Sequence, residues 1–411
     1  MKITKELMKK YASLIVHSGA NVQPGQKVIL NCAVDIHDFA LALMEECYRA
    51  GASQVSIEWT CDGQDRLNYQ YADEEVLGTV LPWQEEKIRQ RVADLPVNIH
   101  ILSDDPDALN GIDVGKMSRA MQKRMAITKP YVNQMTGKYQ WNAAGFPTLP
   151  WAKKLFPGLS DEAALEKLWD AILTTVRITE DNDPVALWKQ HSEDLIRRAA
   201  WMTEQAFTRL CYHSANGTDF TVDLIPGSRF ESAGMTNPLT GTFYIPNMPT
   251  EEVFTSPWAG KCEGTLVATK PLSWNGQLIE DFSITFENGR AVSCQAAKGQ
   301  EVLEQMIHMD EGAAMLGEVA LVPKESPINQ LGFLFYNTLY DENACCHVAL
   351  GRGFQEILPK GNELSVEEAK AMGLNDSLIH VDFMVGSDDL SVTGIKADGT
   401  EVPVFVNGTW A

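Results

Sequence analysis

Polar side chains that can bind a metal ion interrupt apolar stretches in the C-terminal half of the sequence. His380 and Asp382 alternate with apolar residues across the stretch 378–384, which reads LIHVDFM. Side chains two residues apart on a β-strand share one face, so this imidazole and this carboxylate point the same way. Glu318 and His347 interrupt two further apolar stretches in the same manner. Because burying such groups without a partner is unfavourable, a metal ion that binds all four is the simplest explanation.

A fifth candidate ligand, Glu252, lies in the stretch 249–255, which reads PTEEVFT. Three carboxylates and two imidazoles are the ligand mix of a two-metal hydrolase, in which one carboxylate and one water bridge the ions. A single buried His or Glu is more often a hydrogen-bonded core residue than a ligand, but that interpretation needs a separate explanation for each residue. The sequence therefore predicts one centre for two divalent ions, with the ligands Glu252, Glu318, His347, His380 and Asp382.

Several common catalytic motifs are missing from the sequence. It contains neither H-E-x-x-H nor G-x-S-x-G, and the stretch 111–117, GIDVGKM, fails as a phosphate-binding loop in its spacing and its last residue. The turn 34–37, VDIH, has no glycine to cradle a dinucleotide. These absences argue against an ordinary zincin, a serine hydrolase, a kinase and a dinucleotide-binding enzyme.

The composition limits the choice of partners and compartment. With 34 Lys and Arg against 55 Asp and Glu, the 411-residue chain carries a formal net charge of −21, which disfavours binding to nucleic acid. No apolar run approaches the length of a membrane span, and the N-terminus lacks a signal-peptide core. The eight cysteines form no C-x-x-C pair, which favours reduced thiols. We therefore predict a cytoplasmic protein without nucleic-acid or membrane partners.

The N-terminal half has the pattern of an α/β domain. A helix is predicted from the spacing of Leu7, Tyr11 and Leu14, and apolar strands at 27–33 and 54–59 flank a second helix. Strand, helix and strand in about 30 residues form a βαβ unit, which implies a parallel sheet. Further along, the sequence predicts a helix at 74–94, a strand at 97–103 and an irregular, aromatic-rich and proline-rich segment at 116–158. This segment is either a lid or substrate wall, or a loop packed on the domain.

The C-terminal half changes to the alternating pattern of β-strands. Helices are predicted near 161–176 and 184–207, and the second of these is the candidate connector between the halves. Three pairs of alternating segments then flank glycine-containing turns at 214–218, 288–289 and 398–399, as expected for β-hairpins. One helix, 299–308, interrupts them. The predicted fold is thus an N-terminal α/β domain, 1–206, and an antiparallel-rich α+β domain, 207–411, that carries the metal site.

Short stretches in both halves match one known family. In the second half they read NMPTEEVFT (247–255), GEVALV (317–322), HVALG (347–351) and HVDFMVGS (380–387). Near the start they read YASLIV (11–16) and NVQPGQ (21–26). Together they resemble the aminopeptidase T, aminopeptidase S and PepS family of metallopeptidases over nearly the whole chain.

The resemblance implies a dimeric, metal-dependent aminopeptidase that uses zinc, cobalt or a similar divalent ion and acts on peptides. It places the metal ligands at the five residues named above. Glu318 or Glu251 would then move the proton to the leaving amine. The family has a tyrosine seven residues after the ligand His347, where this chain has Phe354; Tyr336, Tyr340 and Tyr244 are the candidates to supply a phenol instead.

Two alternatives to a peptidase follow from the same residues. Two-metal sites also hydrolyse other amides, esters and phosphates, although acidic surroundings disfavour a phosphate. Alternatively, the ions are structural, or the protein binds peptides without cleaving them. Chelation separates these cases, because removal of a structural metal unfolds the protein whereas removal of a catalytic metal abolishes activity in a folded protein.

Overall fold

A computed structural model describes residues 2–274 and 277–411. The chain forms two compact units, one from Met1–Lys189 and Gly234–Pro249, the other from Gln190–Ala233 and Thr250–Ala411. The chain first passes between them inside the long helix that the sequence suggested as the connector. A division into two domains after residue 206 stays a prediction; the bounds of the compact units differ from it mainly because residues 234–249 return to the first unit.

The elements are numbered in chain order. The α-helices are α1 Lys5–Leu14, α2 His37–Arg49, α3 Asp62–Tyr71, α4 Glu74–Gly78, α5 Pro82–Asp94, α6 Val114–Met135, α7 Leu149–Leu155, α8 Asp161–Thr175, α9 Pro184–Glu204, α10 Gln300–Ile307, α11 Pro327–Leu331, α12 Thr338–Glu342 and α13 Val366–Ala371. The strands are β1 Lys27–Ala33, β2 Gln54–Thr60, β3 Val97–Leu102, β4 Trp141–Gly145, β5 Phe207–His213, β6 Asp219–Leu224, β7 Glu231–Ser232, β8 Met235–Thr236, β9 Phe243–Tyr244, β10 Asn247–Met248, β11 Val253–Thr255, β12 Pro257–Val267, β13 Leu272–Trp274, β14 Gln277–Glu287, β15 Arg290–Lys298, β16 Leu316–Leu321, β17 His347–Gly351, β18 His380–Met384, β19 Ser391–Lys396, β20 Glu401–Val406 and β21 Thr409–Trp410.

The first unit is built around a parallel sheet. Its strand order is β10-β4-β3-β1-β2, and β1 pairs in parallel with both β2 and β3. The apolar side chains of β1 are buried, and α2 buries Phe39, Leu43 and Cys47 as its spacing predicted. The predicted βαβ unit and the α/β class of the N-terminal half are therefore confirmed.

The segment 116–158 is not irregular, contrary to the sequence prediction. It contains most of α6, the strand β4 and the helix α7. The first part of α6 is rich in Met, Lys, Arg, Gln and Ala, which favour helices, and the helix continues through Pro130. The aromatic and proline residues after 138 masked this pattern. The predicted helix at 74–94 is also two helices, because Pro82 begins α5 at a position where proline is favourable.

The second unit contains two antiparallel sheets. The larger sheet has the order β13-β14-β12-β6-β5-β19-β20-β21, with β15 paired to β14. Its hairpins β5/β6, β14/β15 and β19/β20 are those predicted from the glycine turns. The antiparallel character of the C-terminal half is therefore confirmed.

The smaller sheet, with the order β18-β17-β16-β11-β7, has two chemically different faces. Val319, Val348 and Phe383 point to one face and lie fully buried in the hydrophobic core of the unit. The residues that alternate with them carry the candidate metal ligands. Within residues 2–274 and 277–411, no helix has the length and apolar character that crossing a membrane requires.

Candidate metal centre

The register of the smaller sheet places the candidate ligands on one face. Glu318 on β16 pairs with Ala349 on β17, and Ala349 pairs with Asp382 on β18. Residues directly opposite each other on paired strands project to the same face, so Ala349 separates the two carboxylates. Ala320 lies opposite His347 in the next row. The small side chains of Ala320 and Ala349 therefore leave room between the longer polar groups.

The ligand candidates form two groups that share one residue. In the first group, Glu252, Glu318 and His347 have ligand atoms within 4.8 Å of one another, and His347 Nε2 lies 3.3 Å from Glu252 Oε2. In the second, His380 Nε2 lies 3.1 Å from Glu318 Oε2 and 3.4 Å from Asp382 Oδ1. All five residues predicted as ligands are thus brought together, and Glu318 belongs to both groups.

Backbone hydrogen bonds fix the orientation of both imidazoles. His347 Nδ1 lies 3.2 Å from the carbonyl oxygen of Cys345, and His380 Nδ1 lies 2.7 Å from the carbonyl oxygen of Arg352. A carbonyl oxygen only accepts, so Nδ1 donates in each case. Nε2 of each ring is thereby directed at carboxylates, which is the arrangement that backbone partners impose on metal-binding histidines.

The carboxylates of the cluster favour a positive charge beside them. Burial opposes a charge on His380, but the neighbouring carboxylates of Asp382 and Glu318 raise its pKa to about 11. Burial likewise opposes a charge on His347, yet Glu252 and the other carboxylates hold its pKa well above the usual range. Burial, opposed by the His380 hydrogen bond, raises the pKa of Glu318 to about 7. In the absence of a metal ion, the protonated imidazoles supply the positive charge beside these carboxylates.

The surroundings of Asp382 Oδ1 indicate whether a metal ion fits this site. Asp382 Oδ1 is buried, and no donor of the described residues makes a hydrogen bond to it. His380 has only Nε2 available, and Nε2 makes its hydrogen bond to Glu318. A buried carboxylate oxygen without a donor is unfavourable. Divalent transition-metal ions bind this mixture of carboxylate and imidazole donors, so the donor set fits a metal ion.

Glu342, at the end of α12, is a site residue that the sequence interpretation missed. Burial raises its pKa well above the usual range, and the charges of Asp382 and Glu252 raise it further. Its pKa also responds to His347 and Glu318, so its carboxyl group interacts electrostatically with the candidate ligands. Glu342 precedes His347 on a helix rather than on an alternating strand, and therefore lacked the pattern that revealed the others.

Asp341, beside Glu342, fixes the turn before α12. Its two carboxylate oxygens accept separate bonds from the backbone N–H groups of Phe335, at 2.7 Å, and Asn337, at 3.0 Å. Asn at position 341 offers one acceptor only, so we expect Asp341→Asn to lower the free energy of unfolding by about 1–3 kcal/mol. Urea denaturation of the metal-free protein measures this change.

The matched control for that prediction is Asp376→Asn, because Asp376 is exposed and its contact with Lys370 is long, at 3.9 Å. This control should change the free energy of unfolding by less than about 0.5 kcal/mol. Equal midpoints for the two variants would mean that Asp341 does not stabilise the turn.

Glu251, the other carboxylate predicted to act in catalysis, lies outside both ligand groups. Its backbone N–H donates to Asn343 Oδ1 at 2.8 Å, and its Oε2 lies 3.6 Å from His191 Nε2. The His191 ring also bonds the Thr250 carbonyl oxygen at 2.8 Å. This arrangement orients the strand end that carries Glu252.

Phe354 lies against a ligand candidate. Its ring centroid is 4.9 Å from that of His380 and 5.2 Å from that of Phe254. The ring therefore provides apolar surface beside the His380 imidazole and no hydrogen bond. Of the tyrosines considered in its place, Tyr340 stacks on Phe335 in the second unit, and Tyr244 belongs to the first unit, where its hydroxyl donates to the Tyr139 carbonyl oxygen at 3.4 Å.

Comparison with known proteins gives one consistent result. A family model described as thermophilic metalloprotease (M29) matches residues 4–410. Aminopeptidase PepS of Streptococcus thermophilus is 40% identical over 408 residues, which is 99% of this chain and 98% of that protein. Aminopeptidase AmpS of Bacillus subtilis (strain 168) is 39% identical over 407 residues, which is 98% of each chain. The structure of wild-type AmpT from Thermus thermophilus matches with a TM-score of 0.91 at 35% identity and covers 99% of each chain.

Proposed function

The chain belongs to the thermophilic metalloprotease family M29, and we propose from this premise that it removes N-terminal residues from peptides at a centre of two divalent metal ions. The observation that carries the proposal is the sharing of Glu318 by two groups of ligand atoms. One carboxylate between two ligand groups is the arrangement of a two-metal hydrolase. The five ligands would be Glu252, Glu318, His347, His380 and Asp382.

Each group of residues has a separate task in this proposal. Divalent ions, when bound, supply an acidified water and a polarised scissile carbonyl. A divalent ion would also bind the free α-amine of a peptide, which favours cleavage at that end. Phe354 and Phe254 provide an apolar wall beside His380 and thereby limit access of bulk water.

A proton must move from the attacking water to the leaving amine. Glu318 and Glu251 were the candidates from sequence. Glu318 is engaged by both ligand groups, and Glu251 lies next to His191 instead. Glu342 belongs to neither ligand group, is half-buried, and has a pKa raised by burial and by neighbouring carboxylates. We therefore assign the proton transfer to Glu342.

Metal loading of the metal-free protein should release protons. At pH 7 both imidazoles are protonated, because their pKa values are raised, to about 11 for His380. Metal ions displace these protons from Nε2, and also the proton that Glu318, with a pKa of about 7, carries in about half of the molecules. About two to three protons should therefore leave on loading, and the apparent affinity should rise with pH between about 6 and 9. Calorimetric titrations in buffers of different ionisation enthalpy measure the number released.

A pair of histidine variants tests the source of those protons. His380→Ala should release about one proton fewer, whereas His213→Ala, on β5 of the larger sheet, should match the wild type. A binding enthalpy that is the same in every buffer would contradict the assignment of Nε2 as a metal-binding atom.

We also propose the identity of the ions, the assembly and the compartment. Zinc or cobalt suits a mixture of imidazole and carboxylate donors. A homodimer follows from the family resemblance and is supported by exposed aromatic side chains on the first unit, including Tyr71 at 74% exposure and Trp83 at 62%. All eight cysteines are free thiols, which suits the reducing cytoplasm.

The proposed function is tested by metal analysis combined with substrate cleavage. Purified protein should contain divalent metal and should cleave a panel of aminoacyl chromogenic substrates, with higher rates after addition of zinc or cobalt and none after chelation. N-acetylated versions of the same substrates should resist cleavage, because acetylation removes the free α-amine. Cleavage of acetylated and free substrates at equal rates would argue for an endopeptidase or a general amidase.

A further inference from the structure

A cavity in the second unit lies beyond the strand end that carries His347. Its volume is about 240 Å³, and its lining includes Lys324, Asp388, Val322, Leu390 and Cys345. This lining combines one cationic side chain, one anionic side chain and apolar surface. None of these residues belongs to the metal centre described above.

The backbone of Lys324 is held firmly, whereas its ammonium group is not. The Lys324 N–H donates to the Gly408 carbonyl oxygen at 2.9 Å, and the Lys324 carbonyl oxygen accepts from Asn329 Nδ2 and Gln330 Nε2, each at 2.9 Å. Its Nζ makes only a long contact, 3.5 Å, with the carbonyl oxygen of Asp388. No carboxylate of the described residues forms an ion pair with Lys324. Its charge is therefore available to a ligand.

The aliphatic part of the Lys324 side chain has room because residue 408 is a glycine. A Cβ atom on Gly408 would lie 3.1 Å from Lys324 Cδ and 2.4 Å from the Ser387 carbonyl oxygen. The backbone of Gly408 also has a φ of +76°, which side-chain-bearing residues rarely adopt. The close approach of Gly408 thus fixes the path along which Lys324 enters the cavity.

Asp388 provides the opposite charge in the same cavity. It is exposed, and its carboxylate makes no ion pair with Lys324 or with another cation in the described part of the chain. An ammonium and a carboxylate that line one cavity without pairing with each other complement a small molecule that carries both charges. Val322 and Leu390 line the cavity but are themselves fully buried, so the two charged groups carry the recognition.

We propose that this cavity is a second binding site, separate from the metal centre, for a free α-amino acid. Lys324 binds the α-carboxylate, and Asp388 binds the α-ammonium group. The choice of ligand rests on the proposed function, because an aminopeptidase releases free amino acids. The bound molecule also adjoins Cys345, whose carbonyl oxygen holds the His347 ring.

The test uses calorimetric titration of the metal-loaded protein with L-leucine. A free amino acid also binds a metal centre as a product, so the titration is repeated in Glu318→Gln, which disables that centre. One site for L-leucine should remain in Glu318→Gln, and adding Lys324→Met or Asp388→Asn should weaken it by at least about tenfold. Lys396→Met, a lysine of β19 outside the cavity, is the matched control and should leave the affinity unchanged.

Two analogues of L-leucine, each lacking one charged group, test the contributions of the carboxylate and the ammonium group separately. L-Leucinamide lacks the carboxylate and 4-methylpentanoate lacks the ammonium group, and each should bind Glu318→Gln at least about tenfold more weakly than L-leucine. The proposal would be overturned if L-leucine bound equally well with and without Lys324→Met, or if the analogues bound as tightly as L-leucine. Absence of L-leucine binding at millimolar concentration would also overturn it. Each of these results can occur whether or not the protein cleaves peptides, so failure of this site is distinguishable from failure of the proposed function.

Discussion

Replacing Glu318 with glutamine should lower kcat/KM for aminoacyl substrates by more than about 1,000-fold. Glu318 contributes to both groups of candidate ligands, so the substitution would remove one charged ligand from each of the two proposed metal positions. An amide oxygen carries no net charge and binds divalent ions more weakly than a carboxylate. The metal content of the dialysed variant should therefore fall together with the activity. Steady-state kinetics and elemental analysis of the same preparation measure both quantities.

The fold should survive this substitution. Glu318 is a buried carboxylate whose pKa is raised by burial and also by the charges of Asp382 and Glu252, so its removal relieves repulsion among these groups. Glu325→Gln is the matched control, because Glu325 is exposed and lies outside the centre. The control should retain wild-type activity and metal content. Wild-type kcat/KM in Glu318→Gln would refute the proposal that Glu318 serves both ligand groups.

Replacing Glu342 with glutamine should lower kcat/KM by about 10²–10⁴-fold without loss of metal. Glutamine has nearly the same shape but carries no exchangeable carboxyl proton, so this change removes proton transfer and keeps the packing at the end of α12. The variant should also lose the part of the wild-type pH profile that reports on this group, because the raised pKa of Glu342 no longer contributes. Kinetics as a function of pH, with metal content measured in parallel, tests the assignment.

The outcome for metal content decides between two roles of Glu342. Retention of metal with loss of turnover supports proton transfer, whereas loss of metal comparable to that in Glu318→Gln would make Glu342 a sixth ligand. Glu363→Gln, an exposed residue, controls for the removal of negative charge from this acidic protein. Wild-type activity in Glu342→Gln would show that the proton takes another path.

Four of the five predicted ligands were visible in the sequence because each interrupts an apolar stretch. Along β16, β17 and β18, apolar residues reach the core on one face, and a charged residue at the alternate positions has no ordinary reason to be buried. Four such positions in one half of the chain, together with Glu252 just before β11, indicate a shared cause. The clustering of these residues in two groups follows from strand pairing that alternation alone does not specify.

Other features had no comparable signal. Glu342 lies on the short helix α12, where no period marks one face, and only the folded chain brings it to the other carboxylates. The helix α6 was missed because the aromatic and proline residues after 138 dominated the segment, and the helix also continues through Pro130, a residue that usually ends a helix. The return of residues 234–249 to the first unit depends on the short strand β10 pairing with β4, and two-residue strands leave no pattern in a sequence.

Strand β18 has two chemically different faces, and this difference specifies its register against β17 during folding. His380, Asp382 and Met384 face one side, and Val381 and Phe383 face the core. A shift of one residue against β17 would exchange these sets, which would bury an imidazole and a carboxylate among hydrocarbon side chains and expose a phenylalanine. Such a shifted register would be strongly unfavourable. The residues proposed for catalysis therefore also disfavour incorrect strand pairing, even before any metal ion binds.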